Sequence, residues 1–148
     1  MHTNKRVSVL ALGMLLAVLL ACNFSASTAN IRSLKVSKDE AAKNEATSFK
    51  AGDTVYAVAD IANNVGKVQA KFRILYDDVP GQKAGTLLEG AEKTLDVEGS
   101  RPAIFWIKLP AGGFRDGRYK FEVTMLNEKG EQKDQKTATF DVSGYGEP

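Results

Sequence analysis

Two side chains suit nucleophilic or zinc chemistry better than any others, and the sequence has one of each: His2 and Cys22. An imidazole beside a hydroxyl or thiol gives nucleophilic catalysis, and spaced sets of histidine and cysteine hold zinc. Beyond Cys22 the chain contains neither residue, which excludes Ser-His-Asp and Cys-His machinery there, and with them nearly all zinc sites. Carboxylates remain. The pair Asp77-Asp78, ahead of Val79-Pro80-Gly81, is the nearest arrangement to an acid/base or calcium site. Calcium takes about six to eight oxygens from spaced ligands, and no D-x-D-x-D-G loop accompanies the pair. A solvated turn is the expected role, as for Asp116-Gly117. The 13 glycines lie scattered among turns, with no G-x-x-x-x-G-K or G-x-G-x-x-G string to cradle a nucleotide phosphate.

Among the aromatics, Phe72, Tyr76, Tyr119, Phe121 and Phe140 occupy alternating positions, which favours core over a ligand pocket. Phe105 and Trp106 are adjacent, so a strand sends them to opposite faces and leaves one outside. An exposed aromatic there, beside Pro110 to Phe114, makes Phe105, Trp106 and Phe114 the candidate contact patch.

The other chemistry lies at the start. Lys5 and Arg6 precede a charge-free run, Val7 to Leu20, of 14 residues. This is the layout of an export signal, and it is short of the roughly 20 apolar residues needed to cross a hydrocarbon layer of about 30 Å. Its end, Leu19-Leu20-Ala21-Cys22, resembles the lipobox of bacterial lipoprotein precursors, with an aliphatic residue at −3, a small one at −1 and then the acceptor cysteine. Leu20 departs from the small residue more usual at −2. The resemblance implies cleavage between Ala21 and Cys22, diacylglycerol on the Cys22 thiol, and often a third acyl chain on the new amine. One acyl chain binds a membrane only marginally, whereas two or three attach durably. The competing expectations are ordinary secretion, with cleavage near Ala26 or Ala29, and an uncleaved anchor.

The sequence thus divides into a signal at 1–21, a lipidated tether at 22–30 and a domain at 31–148. The tether, NFSASTAN after the cysteine, keeps that domain within about 30 Å of the bilayer at roughly 3.5 Å per residue. Removing 21 residues from 148 leaves 127, enough for one domain that buries roughly two-thirds of its unfolded surface without disulfides or metal. Lys and Arg number 20 against 18 Asp and Glu, but Lys5 and Arg6 belong to the signal, which has no acid. The balance beyond it is therefore 18 against 18. No basic footprint for nucleic acid or an anionic membrane remains.

From residue 31 the pattern has period two. Val68, Ala70, Phe72, Ile74 and Tyr76 alternate with Gln69, Lys71 and Arg73; Tyr119, Phe121, Val123 and Met125 alternate with Arg118, Lys120, Glu122 and Thr124. Thr137 to Val142 repeats the scheme. Further strands are expected at Ile31 to Ser37, Thr54 to Ala62, Lys93 to Val97 and Ala103 to Leu109, separated by Gly, Pro and Asn turns. Lys38 to Ala46 lacks an apolar face and reads as a loop or a single turn. About seven strands without βαβ alternation predict an all-β, two-sheet antiparallel sandwich, with a lipocalin-like barrel as the competitor. Asp116-Gly117-Arg118-Tyr119 resembles the tyrosine corner of immunoglobulin-like domains, although Phe121 stands where antibody domains place a cysteine and Trp106 lies late in the chain.

The expected function is a non-catalytic cell-envelope lipoprotein, an accessory binding module without cofactor, metal or nucleic acid. Its partners are the membrane, through Cys22, and an envelope protein or polymer. In a Gram-negative cell it would sit at the outer membrane or the periplasmic face. Two other functions are open: a small-molecule or lipid carrier with a hollow β interior, and a hydrolase working through carboxylates alone.

Overall fold

The computed structural model describes residues 28–146. The signal segment, Ala21 and Cys22 lie outside them. Alternating apolar residues form eight strands: β1 (Asn30–Ser37), β2 (Ser48–Lys50), β3 (Thr54–Ala62), β4 (Lys67–Asp78), β5 (Leu87–Glu98), β6 (Pro102–Lys108), β7 (Gly117–Leu126) and β8 (Gln132–Ser143). The described residues are all-β. They make a three-stranded sheet, β1-β3-β6, and a curled five-stranded sheet, β2-β8-β7-β4-β5.

Two expectations need correction. There are eight strands, not about seven, and the pairing is not wholly antiparallel, because β2 runs parallel to β8. At three residues β2 is too short to show a period. It forms where the chain crosses between sheets: Ala46 N–H donates to the Val36 carbonyl at 3.1 Å, and one residue later the Thr47 carbonyl accepts from Asp141 N–H at 2.7 Å. Phe49 then enters the core edge-on to Phe140, with ring centroids 5.9 Å apart. The strand expected at Lys93 to Val97 also proves longer. Gly90, at φ 75°, lies on the β5 side of a register break between Arg73 and Leu75 of β4, and the bulge hides the alternation.

The inner faces meet in one core. Val55, Ala57, Ala59 and Ile61 of β3 look toward Val68, Ala70, Phe72 and Ile74 of β4 and Tyr119, Phe121, Val123 and Met125 of β7, all buried. Each fully buried Phe there contributes about 1.5–3 kcal/mol relative to exposure. Lys38 to Ala46 is a loop, held by a side chain rather than by helical bonds. The Asp39 carboxylate accepts the backbone N–H groups of Ala41 and Lys43, each at 3.1 Å, and of Asn44 at 2.7 Å. The bonds from Lys43, first, and from Asn44 hold the Asp39 carboxyl below its ordinary value.

The entry to β7 is equally specified. The Tyr119 hydroxyl donates to the Arg115 carbonyl at 2.9 Å and accepts from Arg115 N–H at 3.3 Å, closing the turn on itself. Burial raises the Tyr119 phenol above its ordinary value, against the opposing Arg115 N–H. Gly117, at φ 145°, lies so close to β4 that a Cβ would stand 2.6 Å from the Asp78 carbonyl oxygen.

Candidate functional site

The two sheets carry different outer faces. On the five-stranded sheet the outward face carries cross-strand ion pairs, beside one apolar pair, Leu75 with Leu87. Lys71 meets Glu92 at 3.3 Å, Lys120 meets Asp77 at 3.6 Å and Arg118 meets Asp141 at 3.2 Å. Arg73 grips Glu122, with Nε donating to Oε1 at 2.9 Å, and Glu122 is buried. Asp77 therefore belongs to a cross-strand ion pair at the end of β4 rather than to a turn. Asp116 accepts the Tyr145 N–H at 2.8 Å.

The outer face of the three-stranded sheet has an apolar stripe instead. Register sets half-buried Tyr56 of β3 opposite Trp106 of β6, and buried Val58 opposite half-buried Ile104. Trp106 is 57% exposed, a large cost in unburied apolar surface for a residue on a sheet. Lys35 and Asp60 stand beside the stripe, and Asp60 is held by Arg32 at 3.2 Å.

Phe105, Trp106 and Phe114 do not share one surface. Phe105 points inward against Phe72 and Phe121, with centroids 5.7 and 6.2 Å away, so the core claims it. Phe114 lies half-buried in the β6–β7 connection, 5.3 Å from Tyr119 and 6.0 Å from Tyr145. Trp106 is the member of the trio that faces solvent. Tyr56, Val58 and Ile104 were not singled out from the sequence. The signal was there, because β3 has apolar residues at Tyr56 and Val58 on the face opposite Val55 and Ala57, and a strand apolar on both faces exposes one of them when a single layer covers it.

Two clefts open on the surface. One of about 360 Å³ is lined by Lys67, Gln69, Asp96, Glu98, Arg101 and Glu128 and mixes both signs of charge. The other, about 370 Å³, lies where the crossing segment Glu45-Ala46-Thr47 passes Leu34, Val36 and Ala138. Among the described residues no group of three or more His, Cys, Asp or Glu side chains is gathered to hold a metal. The chain enters the domain at the first cleft's end, where Asn30 pairs with Ala62 and the Thr28 hydroxyl donates to the Asn63 carbonyl at 3.5 Å. Trp106 lies toward the opposite end, its pair with Tyr56 two pairs from the last, Thr54 with Lys108.

No protein-family model matches the chain, and no curated protein does. Solved structures are similar in fold. Part of the Pseudomonas fluorescens alkylpurine DNA glycosylase AlkC, bound to DNA containing an abasic site analog, aligns with 80% of this chain at 14% identity and TM-score 0.51. An immunoglobulin-like protein from Pseudomonas aeruginosa aligns along its whole length with 80% of this chain, at 12% identity and TM-score 0.47. A family 76 glycoside hydrolase from a bovine Bacteroides thetaiotaomicron strain aligns with 75%, at 12% identity and TM-score 0.47. The chain spans 31% of AlkC and 20% of the glycoside hydrolase. These likenesses concern the fold, whose neighbours include immunoglobulin-like domains.

Proposed function

We propose that this protein is a non-catalytic binding module of the bacterial cell envelope: an immunoglobulin-like two-sheet β-sandwich, exported by residues 1–21 and held at a membrane through lipidated Cys22. It presents the outer face of the three-stranded sheet to an envelope protein. The observation that carries this reading is 57%-exposed Trp106, set beside half-buried Tyr56 and Ile104 and buried Val58, on a sheet whose partner sheet carries cross-strand ion pairs on its outer face. Exposed aromatics of this kind are enriched where protein interfaces concentrate their binding energy. The point of entry fits this reading, since the chain joins the domain at Asn30, at the end of β3 away from Trp106. A carrier function has less support, because Phe49, Phe72, Tyr119, Phe121 and Phe140 occupy the space between the sheets.

Two measurements test the reading. Affinity capture from detergent-solubilised envelope, with the full chain as bait, should recover a protein that Trp106→Thr loses; identical recoveries overturn the surface. Intact mass of the mature protein should give a chain beginning at Cys22 with a diacylglyceryl adduct. An unmodified chain beginning after residue 25 overturns the anchor.

A further inference from the structure

The reading above leaves open how the partner is held, and the backbone of β6 bears on that. β6 is the last strand of its sheet, and no other strand among the described residues pairs with its free side. Ile61 N–H donates to the Arg101 carbonyl at 3.3 Å, and Leu109 N–H donates to the Asp53 carbonyl at 2.8 Å. An antiparallel ladder engages alternate residues, so Arg101, Ala103, Phe105, Ile107 and Leu109 turn their backbone groups toward β3. Ile104, Trp106 and Lys108 turn theirs outward. With Pro102, which has no N–H, turned the same way, the edge offers three N–H donors and four carbonyl acceptors beside the exposed Trp106.

Open edges are ordinarily blunted by charges, bulges or proline. β5, one edge of the other sheet, follows that rule, with Glu89, Glu92, Lys93, Asp96 and Glu98 along it and the bulge at Gly90. β6 does not. Ala103 to Ile107 is uncharged, and its register with β3 is unbroken over seven pairs. We propose, resting on the reading that the Trp106 face binds a protein, that the β6 edge accepts an extended strand of that protein, uncharged along its middle and acidic at its ends. The charge preference comes from Arg101 and Lys108, which bracket the edge about 23 Å apart in an extended strand. Both are exposed, and neither forms an ion pair among the described residues. Arg101 shares its cleft with Asp96, Glu98 and Glu128, so the Lys108 end carries the stronger preference. A second copy of this chain fits less well, because antiparallel self-pairing brings Lys108 of one copy beside Arg101 of the other.

The test uses the full chain in detergent and two short peptides of alternating threonine and valine, one ending in glutamate at both ends and the other in lysine. With the glutamate peptide the amides of Ile104, Trp106 and Lys108 should exchange with solvent slower by about tenfold or more. The lysine peptide should protect them several-fold less. Ile104→Pro removes an outward N–H that the β3 ladder does not use, so the sheet should persist while protection is lost. Unchanged exchange, equal protection by both peptides, or a concentration-dependent dimer in sedimentation overturns the proposal. Trp106→Thr separates the two readings, since it keeps the edge backbone. If envelope capture is lost in Trp106→Thr but kept in Ile104→Pro, the surface stands and strand addition falls.

Discussion

On the outer face of the five-stranded sheet Arg73 meets Glu122, Lys71 meets Glu92 and Lys120 meets Asp77, whereas the corresponding face of the three-stranded sheet holds Tyr56, Val58, Ile104 and Trp106. Both faces arise from the same period-two alternation. The difference lies in what the outward positions ask of their surroundings. A cross-strand ion pair is satisfied within the sheet, and a tryptophan in water is not. On the proposed function, the five-stranded sheet is the frame and the three-stranded sheet the contact surface. Damage to the first should be read in stability, and damage to the second in binding.

The largest effect is expected at Gly117, where β7 enters the frame. A methyl group there meets the Asp78 backbone oxygen at 2.6 Å, which neither strand can relieve by rotating a side chain. Gly117→Ala should cost about 3 kcal/mol or more in urea unfolding. A loss under about 1 kcal/mol would mean that this corner yields and the five-stranded sheet is not a rigid frame.

Next comes the Arg73–Glu122 pair, in which the Glu122 side chain is only 10% exposed. Arg73→Ala leaves that carboxylate nearly dry and unpartnered, and the expected cost is about 1.5–2 kcal/mol. Replacing both residues, Arg73→Met with Glu122→Leu, should recover most of it, because the desolvation of two charges disappears with them. A double variant as unstable as the single one would assign the ion pair a net stabilising role.

Tyr119→Phe should cost about 1 kcal/mol, the hydrogen bond to the Arg115 carbonyl. Its pH signature is separable. Burial raises the folded phenol above its unfolded value near 10, so the folded state holds the proton more tightly. That contribution is complete below about pH 10 and is lost as pH rises through the folded value. The gap in stability between wild type and Tyr119→Phe should therefore narrow above about pH 10. A gap that is constant across alkaline pH would contradict the assignment.

The all-β character was legible because long strands with one wet face alternate openly, as at Val68 to Tyr76 and Arg118 to Leu126. The corner at Tyr119 was legible because Asp116-Gly117 stands just before it, although the return of its hydroxyl to Arg115 is set by the fold of the turn. Three things were hidden. β2 is too short to carry a period and takes its place from the Phe49 contact with Phe140. The start of β5 is masked by the bulge at Gly90. The stripe was half-visible: adjacency required Phe105 and Trp106 to face opposite ways, but which one faced out depended on the register with β3, and Tyr56 and Ile104 join Trp106 only through that pairing.

The smallest effect on stability and the sharpest test of the comparison meet at Trp106. With 57% of its surface already exposed, Trp106→Thr removes little buried area, and threonine suits an edge strand. Unfolding should shift by no more than about 0.5 kcal/mol, within the range of ordinary surface substitutions. Capture of the envelope partner should fall sharply in the same variant, while Arg73→Ala, although less stable, should retain it wherever it remains folded. A Trp106→Thr protein destabilised by about 2 kcal/mol would place Trp106 in the packing of its own sheet, and the stripe would then be part of the frame.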